Sequence, residues 1–309
     1  MSQVLVTGGA GFAGVALVRE LLRRGHQVTA VDDFSIGHRS RLDEFTGAGV
    51  RVAEVDIRDG KAVADVLRTS APAAVVHLAA LHFIPWCNAD PARALAINVQ
   101  GLQNVLSAAA AVEVPRVVFA STADVYAISA DPHDEDDVPA PTGVYGISKY
   151  AGELLLRAWS ETTGGVGVAA RLFNLVGPGE TNPHLLPDIC TALRAGDVLN
   201  LGNLTPRRDY VYVDDVAWVL AQLAERPDAP SPVNVGTGVS TSVEEIVELL
   251  RGLTGRDLRV AQDQAKLRPV DRPNLQSRID RLVRFLPDFR PTPLSESLQR
   301  VLDSEGLRR

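Results

Sequence analysis

The octapeptide TGGAGFAG, residues 7–14, decides the fold of this 309-residue chain. It follows the apolar run QVLV and opens an amphipathic stretch, so it lies where a strand turns into a helix. Its regularly spaced glycines are Gly8, Gly11 and Gly14. Glycine there permits a tight turn, close approach of the backbone to a pyrophosphate and close packing of helix on strand. The loop, with the first helical residues Phe12 and Ala13, is therefore predicted to bind the phosphates of a dinucleotide.

Short valine-rich runs alternate with longer amphipathic stretches through the first 170 residues. The runs that we interpret as buried strands are 3–8, 26–32, 50–56, 73–79, 115–121 and 166–171. Helical patterns lie between them, for example at 12–24 and 91–112. This alternation predicts an α/β fold with a Rossmann-type, doubly wound parallel sheet. Ligands of such sheets bind beyond the carboxyl ends of the strands.

The pattern changes after Arg171, where proline and glycine become frequent. We predict an NAD-binding domain over 1–171 and a smaller, mixed substrate-binding domain over 172–309. The interval 172–230 is interpreted as loops with short helices, and 242–253 as a helix. The strand-like VNVGTG suggests that 210–240 returns to the first domain.

Acidic residues close the second predicted strand at Asp32 and Asp33, about 20 residues after the glycine loop. A carboxylate there accepts from the ribose hydroxyls and repels a 2′-phosphate, so NAD is favoured over NADP. Five further residues lie at the ends of the third and fourth predicted strands and are predicted to line the adenine and the cofactor path. They are Asp56-Ile57 and, with Leu78, the small pair Ala79-Ala80.

Composition narrows the classes of function that the chain can have. A net charge of −7 disfavours nucleic acid and anionic membranes as partners, and a mean hydropathy of +0.04 is ordinary for a globular protein. Cys87 and Cys190 have no metal-ligand spacing and are predicted to be buried thiols; no metal site is expected. With no apolar stretch long enough to span a bilayer, we expect a cytoplasmic protein. The acidic run 131–137 is predicted to be a solvated loop.

Two polar motifs carry the candidate chemistry. STADVY, residues 121–126, places Ser121 and Thr122 at the end of a predicted strand, and YGISK places Tyr145 and Lys149 four residues apart on one helical face. An ammonium beside a phenol, with a positive nicotinamide ring nearby, lowers the pKa of the tyrosine toward neutrality. We therefore predict that Tyr145 is a general base for an alcohol, with a Ser or Thr hydroxyl completing the proton path.

In this order, TGGAGFAG, HLAA, STADVY, YGISK and RLFNLVGPG resemble the extended short-chain dehydrogenase/reductase family, and within it the nucleotide-sugar epimerases and dehydratases. The resemblance runs from Gly8 to about Leu294. It implies that Thr122 is the catalytic hydroxyl with Ser121 beside it, that Tyr145 is the base and that Lys149 is its partner. It also implies a homodimer formed by the helices near 91–112 and 145–160. The implied ligands of a nucleotide-diphosphate sugar are Asn174, Arg208, Arg268 and Asp271.

The resemblance leaves the reaction open between 4-epimerisation, 4,6-dehydration and 4-keto reduction. Related dehydratases carry two acids after the threonine, whereas this chain has Ala123 and Asp124, so we favour a 4-epimerase. Because Asp124 is an acid at the second of these positions, a 4,6-dehydratase stays an alternative. A non-catalytic NAD sensor is disfavoured because the tyrosine, the lysine and the threonine are all present.

Two departures from the family pattern concern the substrate. His82 stands where many 4-epimerases have lysine, and GNLTPRRD resembles runs in enzymes of GDP-sugars. A UDP-hexose or UDP-hexuronate is the first choice, and Arg207 or His184 is a candidate partner for a uronate carboxylate.

Overall fold

The computed structural model describes residues 2–45, 47–266 and 272–308. The strands are β1 Gln3–Thr7, β2 Gln27–Asp32, β3 Val50–Glu54, β4 Ala74–His77, β5 Arg116–Thr122, β6 Val166–Leu172, β7 Asn174–Val176, β8 Val198–Leu201, β9 Arg207–Tyr212, β10 Val233–Val235, β11 Ser240–Ser242, β12 Arg259–Gln262 and β13 Asn274–Leu275. The α-helices are α1 Phe12–Arg23, α2 Gly60–Ser70, α3 Ile84–Ala89, α4 Pro91–Leu95, α5 Leu102–Ala111, α6 Val144–Thr163, α7 Leu185–Ala195, α8 Val213–Glu225, α9 Val243–Thr254, α10 Asp280–Phe285 and α11 Leu294–Ser304.

Within the described residues, seven parallel strands form the main sheet in the order β10-β6-β5-β4-β1-β2-β3. This is the order of a doubly wound sheet, with β10 added at the edge beyond β6. The predicted fold class is therefore confirmed. The strand order turns around between β1 and β4, and this turning point is where such sheets bind a dinucleotide.

Apolar side chains cover both faces of the main sheet. On one face α1 and α8 pack around residues such as Val6 and Leu17, and on the other α2 and α5 pack around Leu5 and Phe119. Burial on both faces explains why the strands are nearly continuous runs of valine and alanine rather than alternating patterns. It also forces the polar groups of these strands to their ends, which is where a site can form.

The chain after Arg171 is more regular than its sequence suggested. The interval 172–230 was predicted as loops with short helices, which is wrong, because it contains β9 and the 13-residue helix α8. Helix α8 packs against α1, and β10 joins the main sheet beside β6, so this part of the chain returns to the first unit. The domain boundary at residue 171 itself stays a prediction.

A second unit is built on β9, which pairs with β7, β11 and β13, and on the pair β8–β12. Helices α7, α9 and α11 surround an apolar core there.

The acidic run 131–137 is not simply a solvated loop. His133 is buried and stacks on Tyr126 with 4.6 Å between ring centroids, and Glu135 accepts from the buried backbone N–H of Asn234 at 2.8 Å. The predicted burial of Cys87 and Cys190 is confirmed. In the described part of the chain, no helix combines the length and the apolar character that a membrane crossing requires.

Candidate active site

The glycine loop is shaped for close backbone approach. Gly8 has φ +70°, a conformation that favours glycine, and a β-carbon there would lie 2.7 Å from the backbone N of Ala79. A β-carbon on Gly14 would overlap the carbonyl oxygen of Gly8. Gly11, Phe12 and Ala13 follow at the start of α1, each half-buried. The loop and the start of the helix thus form a narrow, backbone-lined cradle of the kind that holds a pyrophosphate.

The two carboxylates at the end of β2 have different surroundings. Asp32 is buried and accepts from the N–H groups of Ala10 and Phe34, both at 2.9 Å, and its burial raises the pKa of that carboxyl. Asp33 is exposed and accepts from the backbone N–H and the hydroxyl of Ser35. Asp32 therefore fixes the glycine loop to β2, and since a carboxylate has several acceptor sites, both acids can still receive ribose hydroxyls.

The other predicted cofactor residues lie at the same edge of the sheet. Asp56 is bound to the guanidinium of Arg58, which lowers the pKa of the Asp56 carboxyl, and Ile57 is buried against Gly101. Three half-buried residues after β4 pass beside the glycine loop; they are Leu78, Ala79 and Ala80. Together with the loop, these residues fit a dinucleotide laid across the strand ends.

The catalytic candidates meet where β5 faces α6. Thr122 is the last residue of β5, and its hydroxyl faces that of Tyr145 at the start of α6, where it acts to lower the pKa of the phenol. One turn along the helix, Lys149 is buried, donates from Nζ to the carbonyl of Ala120 at 2.7 Å and lies 4.8 Å from the Phe119 ring centroid. The structure therefore brings together the threonine, tyrosine and lysine that the sequence singled out.

Burial has the largest effect on the pKa values of Lys149 and Tyr145. It lowers the pKa of Lys149 to about 7 and raises the pKa of Tyr145, which the Asp124 carboxylate raises further. In the chain without cofactor, the phenol is therefore not activated in the way that the motif alone suggested. NAD, when bound, supplies a hydride acceptor and a positively charged ring that favours the phenolate.

Ser121 lies apart from this group. Its hydroxyl donates to Glu153 at 2.5 Å, and Glu153 in turn pairs with Arg171 at 2.8 Å, all in a buried setting. Neighbouring residues of a strand point to opposite faces, so Ser121 and Thr122 diverge. The structure places Ser121 in a supporting ion-pair network rather than beside the Tyr145 hydroxyl.

The two residues after Thr122 also differ in their surroundings. Ala123 is 1% exposed and packs in an apolar cluster with Val125, Phe173 and Leu275. The carboxylate of Asp124 instead lies 3.5 Å from the guanidinium of Arg272. Position 123 thus brings no acid to the site, and Asp124 is engaged in an ion pair.

The predicted diphosphate ligands fall on the second unit. Asn174 is exposed at the start of β7 and pairs in register with Tyr210 of β9, and Arg208 stands two residues earlier on β9. The guanidinium of Arg208 donates to the carbonyl of Arg272 at 2.9 Å. Arg268 and Asp271 lie outside the described residues.

The two candidate partners for a uronate carboxylate, Arg207 and His184, lie in different parts of the structure. Arg207 forms an ion pair with Glu245 at 2.9 Å and donates to the carbonyl of Ser240, so it is turned toward α9. His184 lies near the mouth of the main sheet, with its ring 5.8 Å from that of His82. Burial lowers the pKa of His82 to about 4.

A family model, the NAD dependent epimerase/dehydratase family, matches residues 4–236. A UDP-glucose 4-epimerase of Corynebacterium glutamicum is 31% identical over 274 residues, which are 83% of this chain and 82% of that protein. A GDP-6-deoxy-D-mannose reductase of Pseudomonas aeruginosa is 29% identical over 87% of this chain and 86% of its own. The crystal structure of a Thermotoga maritima UDP-glucose 4-epimerase with UDP-glucose superposes with a TM-score of 0.89, 28% identity and coverage of 98% of both chains.

The chain belongs to the NAD-dependent epimerase/dehydratase family. It is an NAD-dependent enzyme of the extended short-chain dehydrogenase/reductase type, as the sequence motifs predicted. In the described residues, no group of three or more His, Cys, Asp or Glu side chains is arranged to hold a metal ion.

Two side chains of this family member escaped the sequence interpretation. Asn98 is buried in a π-helical segment, Ala96–Gly101, where it holds the N–H and C=O of Leu81 and donates to the hydroxyl of Ser148 at 2.9 Å. The available signal was a polar side chain within the predicted helix 91–112, although Gln100, Gln103 and Asn104 are polar as well. Arg272, which pairs with Asp124, was missed because the resemblance pointed to the nearby Arg268 and Asp271 instead.

The separation of the two hydroxyls gives a first prediction for this epimerase/dehydratase. Thr122→Val removes the hydroxyl that contacts Tyr145 and should lower kcat by about 10² or more, because proton transfer loses a partner. Ser121→Ala should leave kcat within about threefold and lower the thermal midpoint, because it disturbs the buried Glu153–Arg171 pair. Steady-state kinetics and thermal melts of both variants check this. Equal losses of kcat would contradict the placement of Ser121.

Proposed function

We propose that the protein is an NAD-dependent nucleotide-sugar 4-epimerase, an isomerase that inverts C4 of a UDP-hexose or a UDP-hexuronate through a 4-keto intermediate. UDP-glucose/galactose and UDP-glucuronate/galacturonate are the candidate pairs. The observation that carries the proposal is that the hydroxyl of Thr122 faces that of Tyr145 beside the buried Lys149, at the mouth of the dinucleotide loop.

In this proposal Tyr145 accepts the proton of the C4 hydroxyl and later returns it. Thr122 bridges to the same oxygen and keeps the phenol oriented. Lys149 favours the phenolate when it carries its charge, and its hydrogen bond to Ala120 fixes its ammonium at the end of β5. The hydride leaves C4 for NAD and comes back to the other face of the ring, so the cofactor stays bound between turnovers.

Inversion requires the 4-keto sugar to turn while its nucleotide stays fixed. Asn174 and Arg208, on neighbouring strands of the second unit, are suited to hold the diphosphate, and Arg208 also binds the backbone at Arg272. On the family resemblance we extend this role to Arg268 and assign Asp271 to the ribose of the nucleotide. The diphosphate grip lies on a different unit from Tyr145, an arrangement that supports a sugar held at one end and free at the other.

Epimerisation is supported over 4,6-dehydration by the two residues after Thr122. A dehydratase needs an acid that protonates the departing 6-hydroxyl. Ala123 is buried among apolar side chains, and the carboxylate of Asp124 is paired with Arg272.

A second candidate is a 4-keto reductase of a GDP-sugar. The observations that favour it are the GNLTPRRD run and the 29% identity to a GDP-6-deoxy-D-mannose reductase. This reaction would consume NADH stoichiometrically, whereas an epimerase reuses its own. A non-catalytic NAD-binding sensor is a weaker alternative, because it does not require the Tyr145–Thr122 contact.

The product assay separates these functions. The purified protein is incubated with UDP-, GDP- and dTDP-sugars, and products are identified by NMR while NADH is followed at 340 nm. We expect a C4 epimer of a UDP-sugar without net change in NADH. A 4-keto-6-deoxy sugar would transfer the proposal to dehydratases, and stoichiometric NADH consumption would transfer it to reductases.

The role of the base is tested with Tyr145→Phe against Tyr150→Phe, a control on the same helix. Tyr145→Phe should lower kcat by about 10² to 10⁴ and leave the Kd of the nucleotide sugar within about twofold. Tyr150→Phe should retain most of the activity. If Tyr145→Phe retained turnover, the assignment of the general base would be wrong.

We also propose a homodimer through α4 and α6. Three large apolar side chains are exposed on these packed helices: Leu95 is 42% exposed, Ile147 is 50% exposed and Leu154 is 40% exposed. Ile147 and Leu154 lie seven residues apart and so share one face of α6.

Light scattering after size exclusion tests the homodimer. Ile147→Asp should convert a dimer to a monomer, because it places a charge in the apolar contact. Val239→Asp, at an exposed valine on the second unit and away from α4 and α6, serves as the control and should stay dimeric. A wild-type protein that runs as a monomer at micromolar concentration would contradict the proposed interface.

A further inference from the structure

A cluster of titratable side chains stands beside the catalytic group and has no role in the C4 chemistry described above. It consists of His82, in the segment after β4, with Glu180 and His184, in the segment between β7 and α7. The rings of His82 and His184 meet edge to face with 5.8 Å between centroids. The cluster thus joins the main sheet to the second unit at the mouth of the site.

His184 has the surroundings of an oriented base. Its Nδ1 atom contacts the carboxylate of Glu180, whose side chain is only 7% exposed, while His184 itself is 39% exposed. The hydrogen bond made by one ring nitrogen sets the role of the other, so Nε2 is the nitrogen that can accept a proton. A carboxylate–imidazole pair with an accessible second nitrogen is the arrangement that general bases use.

His82 links this pair to the catalytic residues. The backbone of Ala80 and the charge of Lys149 are both close enough to its ring to act on the pKa of the imidazole, the first raising it and the second lowering it. Next to it, Leu81 and Cys87 form a small apolar cluster against which Tyr145 packs. The histidine pair is therefore a neighbour of the phenol that would hold the C4 oxygen.

We propose that His184, oriented by Glu180 and packed against His82, is an acid–base catalyst that removes and returns the proton on a carbon adjacent to the C4 ketone of the bound sugar. This inference rests on the proposed function, because the C4 oxidation forms the ketone. It assigns a second activity to the site: exchange of the hydrogen at C3 or C5, with inversion there where the sugar permits.

The step balances without a further oxidant. Nε2 of His184 takes the proton, the electron pair of the C–H bond forms the enolate double bond to C4, and the negative charge rests on the C4 oxygen. That oxygen is the one placed at the hydroxyls of Tyr145 and Thr122, which can stabilise it. The proton on Nε2 exchanges with water, since the ring is partly exposed, and a solvent proton returns to carbon.

Acid–base chemistry fits this cluster better than recognition of a substrate anion does. The Glu180 carboxylate, buried against His184, would repel a second carboxylate at the same ring. Burial lowers the pKa of His82 to about 4, so this neighbour is neutral near pH 7 and adds no positive charge.

Hydrogen exchange tests the inference independently of C4 oxidation. UDP-4-keto-6-deoxyglucose, which already carries the ketone, is incubated with the holoenzyme in D₂O, and deuterium at C3 and C5 is followed by NMR. We expect the wild type to exchange one of these hydrogens at least about tenfold faster than His184→Gln does. The side chain of His184 does not cap α7, so this substitution leaves the start of the helix intact.

A matched control is His26→Gln, because His26 also pairs with a glutamate, Glu225, at 2.8 Å, but stands before the amino end of β2. It should exchange as the wild type does. Glu180→Gln tests the positioning residue and should slow exchange without changing the KM for the nucleotide sugar. Exchange in the wild type no faster than in buffer, or equal in His184→Gln, would overturn the inference.

A parallel incubation with UDP-glucose separates failure of the inference from failure of the proposed function. If the C4 epimer forms while exchange does not depend on His184, the histidine pair has no catalytic role. If exchange depends on His184 but no C4 epimer of any nucleotide sugar forms, the 4-epimerase proposal falls and the assignment of the base stands.

Discussion

Burial of the Lys149 ammonium beside Tyr145 is the constraint on which the site depends. Water is excluded from this position, and the lost hydration lowers the pKa of the lysine to about 7. The Ala120 carbonyl and the Phe119 ring compensate in part, and both belong to β5. The lysine therefore keeps its place only while β5 and α6 hold their register, so the fold of the first unit and its chemistry are coupled.

The second unit completes the same site from outside the main sheet. Arg272 reaches the Asp124 carboxylate and the carbonyls of Tyr126 and Ala127, and Arg208 binds the backbone of Arg272. The residues suited to hold the nucleotide sugar are thus tied to the segment that follows Thr122. The proposed diphosphate site and the position of Thr122 therefore depend on one set of contacts.

Local rules were enough to predict the core of the fold and the closeness of the three candidate catalytic residues. A glycine loop, valine-rich strands and a Tyr–Lys spacing each depend on neighbours within a few residues, and the structure joins Thr122, Tyr145 and Lys149 as expected. The period of two along a strand already separates Ser121 from Thr122, although both were assigned to the site. Long-range contacts escaped prediction. The burial of His133 and Glu135, for example, depends on Tyr126 and Asn234, which no local pattern connects to them.

The protonation of the Tyr145 phenol, measured with and without NAD, is the most direct test of the proposed activation of this residue. Ultraviolet difference titration near 295 nm, wild type minus Tyr145→Phe, reports phenolate at this residue with and without saturating NAD. Burial raises the pKa of Tyr145 in the chain without cofactor, so we expect no phenolate signal below pH 10 there and a signal that appears well below pH 10 when NAD is bound. The same titration midpoint in both states would contradict the claim that the buried lysine and the cofactor together activate Tyr145.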